Sequence, residues 1–534
     1  MSLNIFARLF ALFAYALMAT GCSPTEQGGL WGKPLTPTIA VSEPVIPSKT
    51  PNYLPTLTSS PTPKPRITVT PLSSLPEILP GLTLALPLAT LPPINQGGPM
   101  ESYFSQSGDT LEIISNRFEI PIEYFQSPVV LPKSTELLPT GTLLLIPKRE
   151  GQPEYSPNAG ILPDTEFVFG PATIGFDIET FIQSQNGLLS KYREYIMSGG
   201  WHTGSQAVMR IAEENSINPK LILAIIEIES NWLTGYPENY AEDEYPLGHR
   251  DYLYRGFFRQ LMWASGQLSK GYYEWRSGKL TSLTFRDGSQ IKINPNLNAG
   301  TVAVQYYFSQ TRSREDWEKI VSEEGFIRVY KELYGDPLPA WQEYGPTLPA
   351  GIQQPQLSFP IEVGKLWAFI SGPHSAWEKE GAQAAVDFAP ASDKPGCIES
   401  PEWVVAPADG VVVRVDTGVV VLDLDGDGLE QTGWNLLFLH ISSKDKVDLG
   451  SVLNKNDRIG HPSCEGGVST GTHLHFARKF NGEWVLAAGS IPMILNGWEI
   501  QDGGAPYKGS MTLLGQTIRA CTCSDFTTHF IRKE

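Results

Sequence analysis

The chain has 534 residues, 41% of them hydrophobic, which is enough for about three globular domains with buried cores. Its formal net charge of −17 excludes nucleic acid and an anionic membrane surface as the main partner, because an acidic protein is repelled by both. No basic run along the sequence offsets this charge.

The N-terminal residues have the pattern of an export signal. Arg8 follows a short polar start, residues 9–19 are apolar, and small residues lead to Cys22. The apolar run is too short to predict a membrane span. Residues 1–22 resemble a bacterial lipoprotein signal, which implies an exported protein anchored at the cell envelope through lipidated Cys22. An ordinary cleaved signal peptide is the alternative, and it also predicts export.

Residues 23–100 are rich in proline, threonine and serine. Such a segment cannot bury enough apolar surface to fold, and its prolines favour extended polyproline geometry. Fully extended at roughly 3.1 Å per residue, it would reach on the order of 200 Å. We therefore predict a disordered tether that lets an anchored protein sample the cell wall.

Residues 101–149 are predicted to form a small compact unit. It opens with SGDTL at 107–111 and closes with GTLLLIP at 141–147. These two segments resemble the LysM module, a βααβ unit, and the resemblance implies binding to N-acetylglucosamine glycan such as that of peptidoglycan. A second connector, rich in proline and glycine, is predicted at 150–174.

Residues 175–345 are predicted to be mainly helical. Pro219 suits a first helical turn, and residues 221–228 are apolar nearly all round, which predicts a buried helix. This helix resembles the "LLLAI…ES" helix of lytic transglycosylases in the lysozyme-like superfamily, which implies that Glu229 is a general acid. Burial would favour its acid form. The alternative is a helix-terminal polar residue in an inactive or different helical domain.

The C-terminal part has Val-rich segments separated by Gly/Asp turns, which predicts an antiparallel all-β domain. Residues 423–428 read DLDGDG, which opens like a calcium-binding loop. Its twelfth position is Trp434 where such loops carry a glutamate. A simple turn between strands is therefore the favoured interpretation, with a calcium loop as the alternative.

The segment GTHLHF at 471–476 indicates a metal site. In a strand, His473 and His475 point to the same face, so one imidazole can bind a metal while the other acts on bound water. Asp387 and His440 each lie near the end of another apolar run. Together these four residues, from distant parts of the C-terminal domain, predict one metal site.

The same residues resemble the zinc peptidases of the lysostaphin/LytM type, antiparallel β domains that cut peptide cross-links in bacterial cell walls. The resemblance covers roughly residues 358–500, within a predicted domain at 355–505. It implies that Asp387 and His475 are zinc ligands. It also implies that His440 and His473 orient the attacking water and stabilise the oxyanion.

A catalytic zinc ion needs three protein ligands and one open position. The first ligand of these peptidases is a histidine four residues before the aspartate, and this chain has Gln383 there. Glutamine is a poor zinc ligand. His374, which follows a Gly-Pro pair, is the best replacement for the third ligand. The alternative is an ordinary loop histidine and an inactive site.

Apart from the signal cysteine, four cysteines remain, an even number that suits disulfides in an oxidising compartment. Cys521 and Cys523 are so close in sequence that pairing them would close a strained ring. We therefore expect each to pair with Cys397 or Cys464, which would staple residues 506–534 across the β domain. A zinc site built from these thiols is the less favoured interpretation.

The sequence thus predicts a multidomain cell-envelope zinc metalloendopeptidase that cleaves stem or cross-bridge peptides of peptidoglycan. One alternative is a non-catalytic LytM-like scaffold or an activator of a separate wall hydrolase, which Gln383 favours. A second alternative is glycan cleavage by the helical domain through Glu229. Retention of the other four site residues favours the peptidase.

Overall fold

The structure is a computed structural model that describes residues 99–148, 154–377, 379–392, 394–522 and 529–531. The predicted signal peptide, lipidated Cys22 and all but the last two residues of the predicted tether lie outside the described residues. No helix within the described ranges combines the length and the apolar character needed to cross a bilayer.

The N-terminal unit, residues 99–148, pairs strands β1 (Met100–Phe104) and β2 (Leu143–Pro147) in an antiparallel ladder beside helix α1 (Leu111–Phe118). The Thr110 hydroxyl caps α1 by accepting a hydrogen bond from the Ile113 amide. The second helix expected of a βααβ unit is only one 3₁₀ turn, Ile122–Tyr124. Prolines on both sides of this segment, in IPIEYFQSP, leave too little chain for a longer helix.

The N-terminal unit packs directly on the helical region, residues 154–346. Arg117 is buried, forms an ion pair with Asp109 at 2.7 Å and donates to the Trp275 carbonyl at 3.1 Å. The Gln106 side chain donates to the Asn296 carbonyl at 2.7 Å.

The predicted connector at 150–174 needs correction over its second half. Leu162, Phe167 and Val168 belong to the core of the helical region, with at most 1% of each residue exposed. This segment carries its own apolar residues among the prolines, and they are buried against the helices.

The helical region confirms the predicted helical character of residues 175–345. Helix α4 (Pro219–Ser230) begins at Pro219 with Asn218 as its cap, and residues 221–226 of its apolar run are all buried. The region contains helices α2 (Ile178–Gln185), α3 (Gly204–Asn215), α4 (Pro219–Ser230), α5 (Tyr240–Glu244), α6 (Phe257–Arg276), α7 (Ala299–Thr311), α8 (Arg314–Ile320), α9 (Phe326–Tyr334) and α10 (Leu338–Tyr344), with two hairpins, β3 (Arg193–Ile196) with β4 (Gly200–Thr203) and β5 (Ser282–Thr284) with β6 (Gln290–Lys292).

Residues 355–531 form the β domain, and its sheets are antiparallel, as predicted. The strands are β7 (Leu366–His374), β8 (Ala385–Pro390), β9 (Val404–Val405), β10 (Gly410–Asp416), β11 (Gly418–Asp423), β12 (Trp434–Ile441), β13 (Val452–Leu453), β14 (Arg458–Gly460), β15 (Leu474–Phe480), β16 (Glu483–Trp484), β17 (Ile494–Leu495), β18 (Trp498–Asp502), β19 (Gly509–Leu513), β20 (Gln516–Arg519) and β21 (His529–Ile531). Nine of them form one sheet in the order β13-β10-β11-β12-β15-β8-β7-β21, with β16 paired to β15. The two smaller sheets have the orders β17-β18-β19-β20 and β14-β9.

The predicted disulfide pairing is wrong. Cys397 and Cys464 form a disulfide with each other, with their Cα atoms 5.8 Å apart. Cys521 is also disulfide-bonded, so its partner is neither of these two. The C-terminal tail is held by strand pairing, because β19 and β20 complete the four-stranded sheet and β21 pairs with β7. The loops that carry Cys397 and Cys464 meet at one end of the nine-stranded sheet, which chain spacing alone does not reveal.

The helical region and the β domain share one continuous core. Arg276 at the end of α6 forms buried ion pairs with Asp164 and with Glu483, both at 2.9 Å. The Trp484 indole donates to the Asn215 carbonyl at 3.1 Å, and its backbone amide donates to the Tyr273 hydroxyl at 3.0 Å. The helices therefore pack against one face of the nine-stranded sheet.

Candidate metal centre

Three neighbouring strands carry the metal-binding side chains. Asp387 on β8 lies directly opposite His475 on β15, so the two side chains project from the same face. Strand β7 pairs with the other edge of β8, where His374 lies opposite Ala385. Two register irregularities in β7, between Phe369 and His374, bend its end toward the same site.

The three ligand atoms form a tight triangle. The Nε2 atom of His374 lies 3.0 Å from Nδ1 of His475, and both nitrogens lie 3.2 Å from Oδ1 of Asp387. All three residues are buried. The sequence prediction of His374 as the third member of this group therefore agrees with the geometry.

This triangle has the dimensions of a tetrahedral zinc site. Zinc bonds of about 2.0–2.2 Å at tetrahedral angles separate neighbouring ligand atoms by about 3.3–3.6 Å. The separations of 3.0–3.2 Å here are only slightly shorter. In addition, Oδ1 of Asp387 is buried without a hydrogen-bond partner among the described residues. An orphaned carboxylate oxygen is costly unless a cation faces it, so the three residues fit a zinc ion.

Backbone carbonyls fix the orientation of both imidazoles. The Nδ1 atom of His374 lies 2.9 Å from the Gly372 carbonyl, and Nε2 of His475 lies 2.9 Å from the Ala376 carbonyl. A carbonyl only accepts, so these nitrogens carry the protons. The opposite nitrogens present lone pairs toward Asp387, which explains why no proton reaches its Oδ1.

The loop that contains Tyr507 holds His374 in place, and the sequence did not indicate it. The rings of Tyr507 and His374 stack with centroids 4.5 Å apart, and the Tyr507 carbonyl accepts from the Gly372 amide at 3.0 Å. A Cβ added to Gly372 would lie 2.5 Å from the Lys508 carbonyl oxygen. Glycine is therefore required for this close approach.

Gln383 does not belong to the metal group. Its side-chain nitrogen donates to the Gly381 carbonyl at 3.3 Å and to the Ser375 hydroxyl at 3.4 Å. The backbone carbonyl of Gln383 accepts a hydrogen bond from the Ala487 amide at 2.9 Å. The Gln383 side chain thus stabilises the loop before β8, and His374 is the third member of the triangle.

His440 reaches the centre through a β-bulge. The register changes between the pairs Gly418–Ile441 and Val419–Leu439, which leaves His440 as the extra residue. Its φ of 67° is left-handed, a conformation that costs on the order of 1–3 kcal/mol for a residue other than glycine. Because Leu439 already occupies the metal face, a regular strand would point His440 to the opposite face. The bulge turns the His440 side chain back to the metal face.

His440 and His473 form a pair beside the triangle, with ring centroids 4.5 Å apart. Nδ1 of His440 contacts the Glu465 carbonyl at 2.8 Å, and Nδ1 of His473 contacts the Gly471 carbonyl at 2.7 Å. Nε2 of His473 lies 3.8 Å from Oδ1 of Asp387. Each ring therefore keeps its Nε2 lone pair available next to the metal group.

The pKa values of the histidines shift in opposite directions around one ionised carboxylate. Although burial opposes it, the neighbouring Asp387 raises the pKa of His374. Burial, then the neighbouring His473, lowers the pKa of His440 to about 3. Burial also lowers the pKa of His475. Although burial alone would raise the pKa of Asp387, His374 and His475 hold it well below its usual range.

The disulfide braces the two loops beside His440. The amide of Ser463, the residue before Cys464, donates to the His440 carbonyl at 2.7 Å. Near Cys397, the Gly396 carbonyl accepts from the Thr472 amide at 3.1 Å. A cavity of about 420 Å³ opens beside these loops, lined by Glu399, Ser400, Pro401, Ser442, Lys444, His461, Pro462 and Ser463.

Glu229 is not brought to this centre. It lies near the end of α4, with 7% of its side chain exposed, in an ion pair of 3.0 Å with Arg312. The Thr311 hydroxyl donates to it at 3.3 Å. Burial raises the pKa of Glu229 and Arg312 opposes that rise. Any reaction of this carboxyl with a glycan would first have to break the ion pair.

An antiparallel β domain with a buried His/Asp/His triangle and two further histidines beside it has the donor set of a metal-dependent hydrolase. Comparisons with known proteins point the same way. Residues 160–346 match the family model described as LasA, N-terminal domain. Protease LasA of Pseudomonas aeruginosa is 24% identical over 346 residues, which cover 62% of this chain and 76% of that protein. The same protease from a second strain is 24% identical over 340 residues.

The solved structures that this chain matches include M23 and lysostaphin peptidases. The M23 metalloprotease pseudoalterin, from the deep sea, is 21% identical, with a TM-score of 0.26 and coverage of 31% of this chain and 96% of that chain. The catalytic domain of lysostaphin from Staphylococcus simulans is 22% identical, with a TM-score of 0.17 and coverage of 24% and 88%. The LysM-like and lysozyme-like interpretations of the upstream regions stay predictions.

Proposed function

We propose that this protein is a zinc metalloendopeptidase of the bacterial cell envelope that hydrolyses peptide bonds of peptidoglycan. The observation that carries the proposal is the triangle of His374, Asp387 and His475 with its orphaned carboxylate oxygen. The similarity to a protease over 62% of the chain supports the same reaction class.

A bound zinc ion would polarise the scissile carbonyl and lower the pKa of a water molecule. The protein's own groups then handle protons and orientation. Nε2 of His440 and of His473 can each accept a hydrogen bond from water or take its proton, because their Nδ1 protons are already donated to carbonyls. Once protonated, the same atoms can donate to the developing oxyanion or to the leaving amine.

The proposed location is outside the cytoplasm. The Cys397–Cys464 disulfide suits an oxidising compartment, as the predicted export signal requires. Lipidation of Cys22 and glycan binding by the LysM-like unit would both concentrate the enzyme on its substrate without new contacts in the site.

The alternative of a non-catalytic scaffold or hydrolase activator rests on Gln383. A third zinc ligand supplied by His374 in place of residue 383 would argue against this alternative. The second alternative, glycan cleavage through Glu229, is favoured by the raised pKa of this carboxyl and opposed by its ion pair with Arg312.

Metal content of the purified protein separates these functions. We expect about one zinc per chain in the wild type, a loss of zinc in His374→Ala, and full zinc in the matched control Gln383→Ala. Solubilisation of purified sacculi should stop in His473→Ala and continue in Glu229→Gln. A wild type without zinc would refute the peptidase, and arrest by Glu229→Gln alone would support glycan cleavage.

A further inference from the structure

A second group of possible metal ligands lies at the opposite end of β12 from His440. The loop between β11 and β12 brings carboxylate oxygens of Asp423, Asp425 and Asp427 within 4.8 Å of one another. Asp423 is fully buried, whereas the other two are exposed. The loop is separate from the proposed zinc centre.

The aspartates of this loop accept hydrogen bonds from nearby backbone amides, at 3.0 and 2.9 Å for Asp423 and at 2.9 Å for Asp427, but these bonds leave the net negative charge in place. Within the described residues, no lysine or arginine forms an ion pair with any of the three aspartates. Like charges at this separation repel. A bound cation would relieve this repulsion.

A buried polar atom beside the loop provides independent support. Asn435 is fully buried, and its Oδ1 has no hydrogen-bond partner in the described part of the chain. Asn435 lies directly opposite Asp423 in the β11–β12 ladder, so both side chains project from the same face. Its Nδ2 donates to the Thr432 carbonyl at 2.7 Å, which places the amide at the inner side of the same loop.

We propose that this loop binds a calcium ion through Asp423, Asp425, Asp427 and Oδ1 of Asn435. All four donors are oxygens, which favours a hard cation, and the loop follows the spacing of positions 1, 3 and 5 of calcium-binding loops. Trp434 replaces the bidentate glutamate, so we expect a dissociation constant on the order of 0.1–1 mM, as in extracellular calcium modules.

The ion would stabilise the junction between the β domain and the helical region. Gly433, at the end of the loop, exchanges hydrogen bonds with Asn481: its amide donates to Asn481 Oδ1 at 2.9 Å, and its carbonyl accepts from the Asn481 amide at 3.0 Å. The next residue, Gly482, accepts a hydrogen bond from the Ser216 hydroxyl of the helical region at 2.6 Å. The loop thus connects directly to residues that hold the helices.

Terbium luminescence and thermal unfolding of the full-length, zinc-loaded protein test this site. Trp434 adjoins the loop, so excitation of tryptophan should sensitise bound Tb³⁺, and Ca²⁺ should displace it. We expect Ca²⁺ at about 10 mM to raise Tm by about 2 °C or more. Asp425→Asn and Asp427→Asn should lose both responses, and the exposed control Asp448→Asn should keep them.

The proposal is overturned if Ca²⁺ at about 10 mM leaves Tm unchanged, or if Asp448→Asn removes the response as fully as Asp425→Asn. An equal response to Mg²⁺ would overturn the assignment to calcium. Should the aspartate variants fail to fold, Trp434→Phe decides the matter: the calcium-dependent rise in Tm should persist while the sensitised luminescence disappears.

Discussion

Arg276 offers the sharpest test of how the helical region is joined to the β domain. Its guanidinium is 5% exposed and donates to Glu483 at 2.9 and 3.1 Å and to Asp164 at 2.9 Å. The two carboxylates are also buried, with 1% and 8% of their side chains exposed. Arg276→Met keeps much of the volume and removes the only cation that pairs with either carboxylate in the described part of the chain.

We expect Arg276→Met to lower the free energy of unfolding by about 3–5 kcal/mol, the usual cost of breaking a buried ion pair by removal of one partner. The cost arises from stranded carboxylates, so a second change, Glu483→Gln, should recover part of it. Urea unfolding followed by tryptophan fluorescence measures the difference, with the slope against urea checked for constancy.

Lys279→Met is the matched control. Lys279 follows α6 closely and approaches Asp502 at 3.8 Å, but both side chains are about half exposed, at 60% and 47%. A surface pair of this kind contributes about 0–1 kcal/mol. If Arg276→Met changes stability no more than Lys279→Met, the buried pairs do not hold the junction and this reasoning is refuted.

Four further outcomes are expected. His440→Ala should reduce kcat by about 100-fold or more while zinc content stays at one per chain, because it removes a proton acceptor and no ligand. Gln383→His should leave zinc content unchanged, because residue 383 hydrogen-bonds to Ser375 and Gly381 and His374 already provides the third ligand. Loss of the Cys397–Cys464 disulfide by paired serine substitution should destabilise by up to about 4 kcal/mol, from the 67-residue separation, as measured by thermal unfolding. The pKa of Glu430 is lowered to about 2 because, although burial opposes this, two buried cations outweigh it. Its stabilisation should therefore be present above about pH 4.5 and disappear as pH falls through 2, and Glu430→Gln should remove that dependence in an acid titration of unfolding.

All five residues at the centre were named from the sequence, and four of them, Asp387, His475, His473 and His440, follow from local chain pattern alone. Asp387 and His475 need only two apolar strands paired side by side, and alternation along a strand puts His473 near His475. His440 was expected from its place at a strand end. The left-handed bulge that turns its ring to the metal face could not be anticipated, because it depends on the neighbouring strand.

The remaining features depend on contacts between distant segments. His374 enters the triangle because β7 is bent by two irregularities, and Tyr507 supports it from more than a hundred residues further along the chain. The pairing of Cys397 with Cys464 depends on which loops meet at the sheet end. Tertiary contacts between distant loops cannot be predicted from a single sequence, whereas the alternation of side chains along a strand can.

The metal group and the helical region are physically coupled. The Ala376 carbonyl holds the outer nitrogen of His475, and Ala376 is buried in the core that the helices share with the sheet. The same loop rests on α6, where a Cβ added to Gly381 would lie 3.3 Å from the Ser269 side chain. Because an outer hydrogen bond fixes both tautomer and ring angle, a shift of α6 would loosen a ligand it never touches. The helices thus contribute to the order of the site from the same face of the sheet that carries Asp387 and His475, in addition to any role of their own.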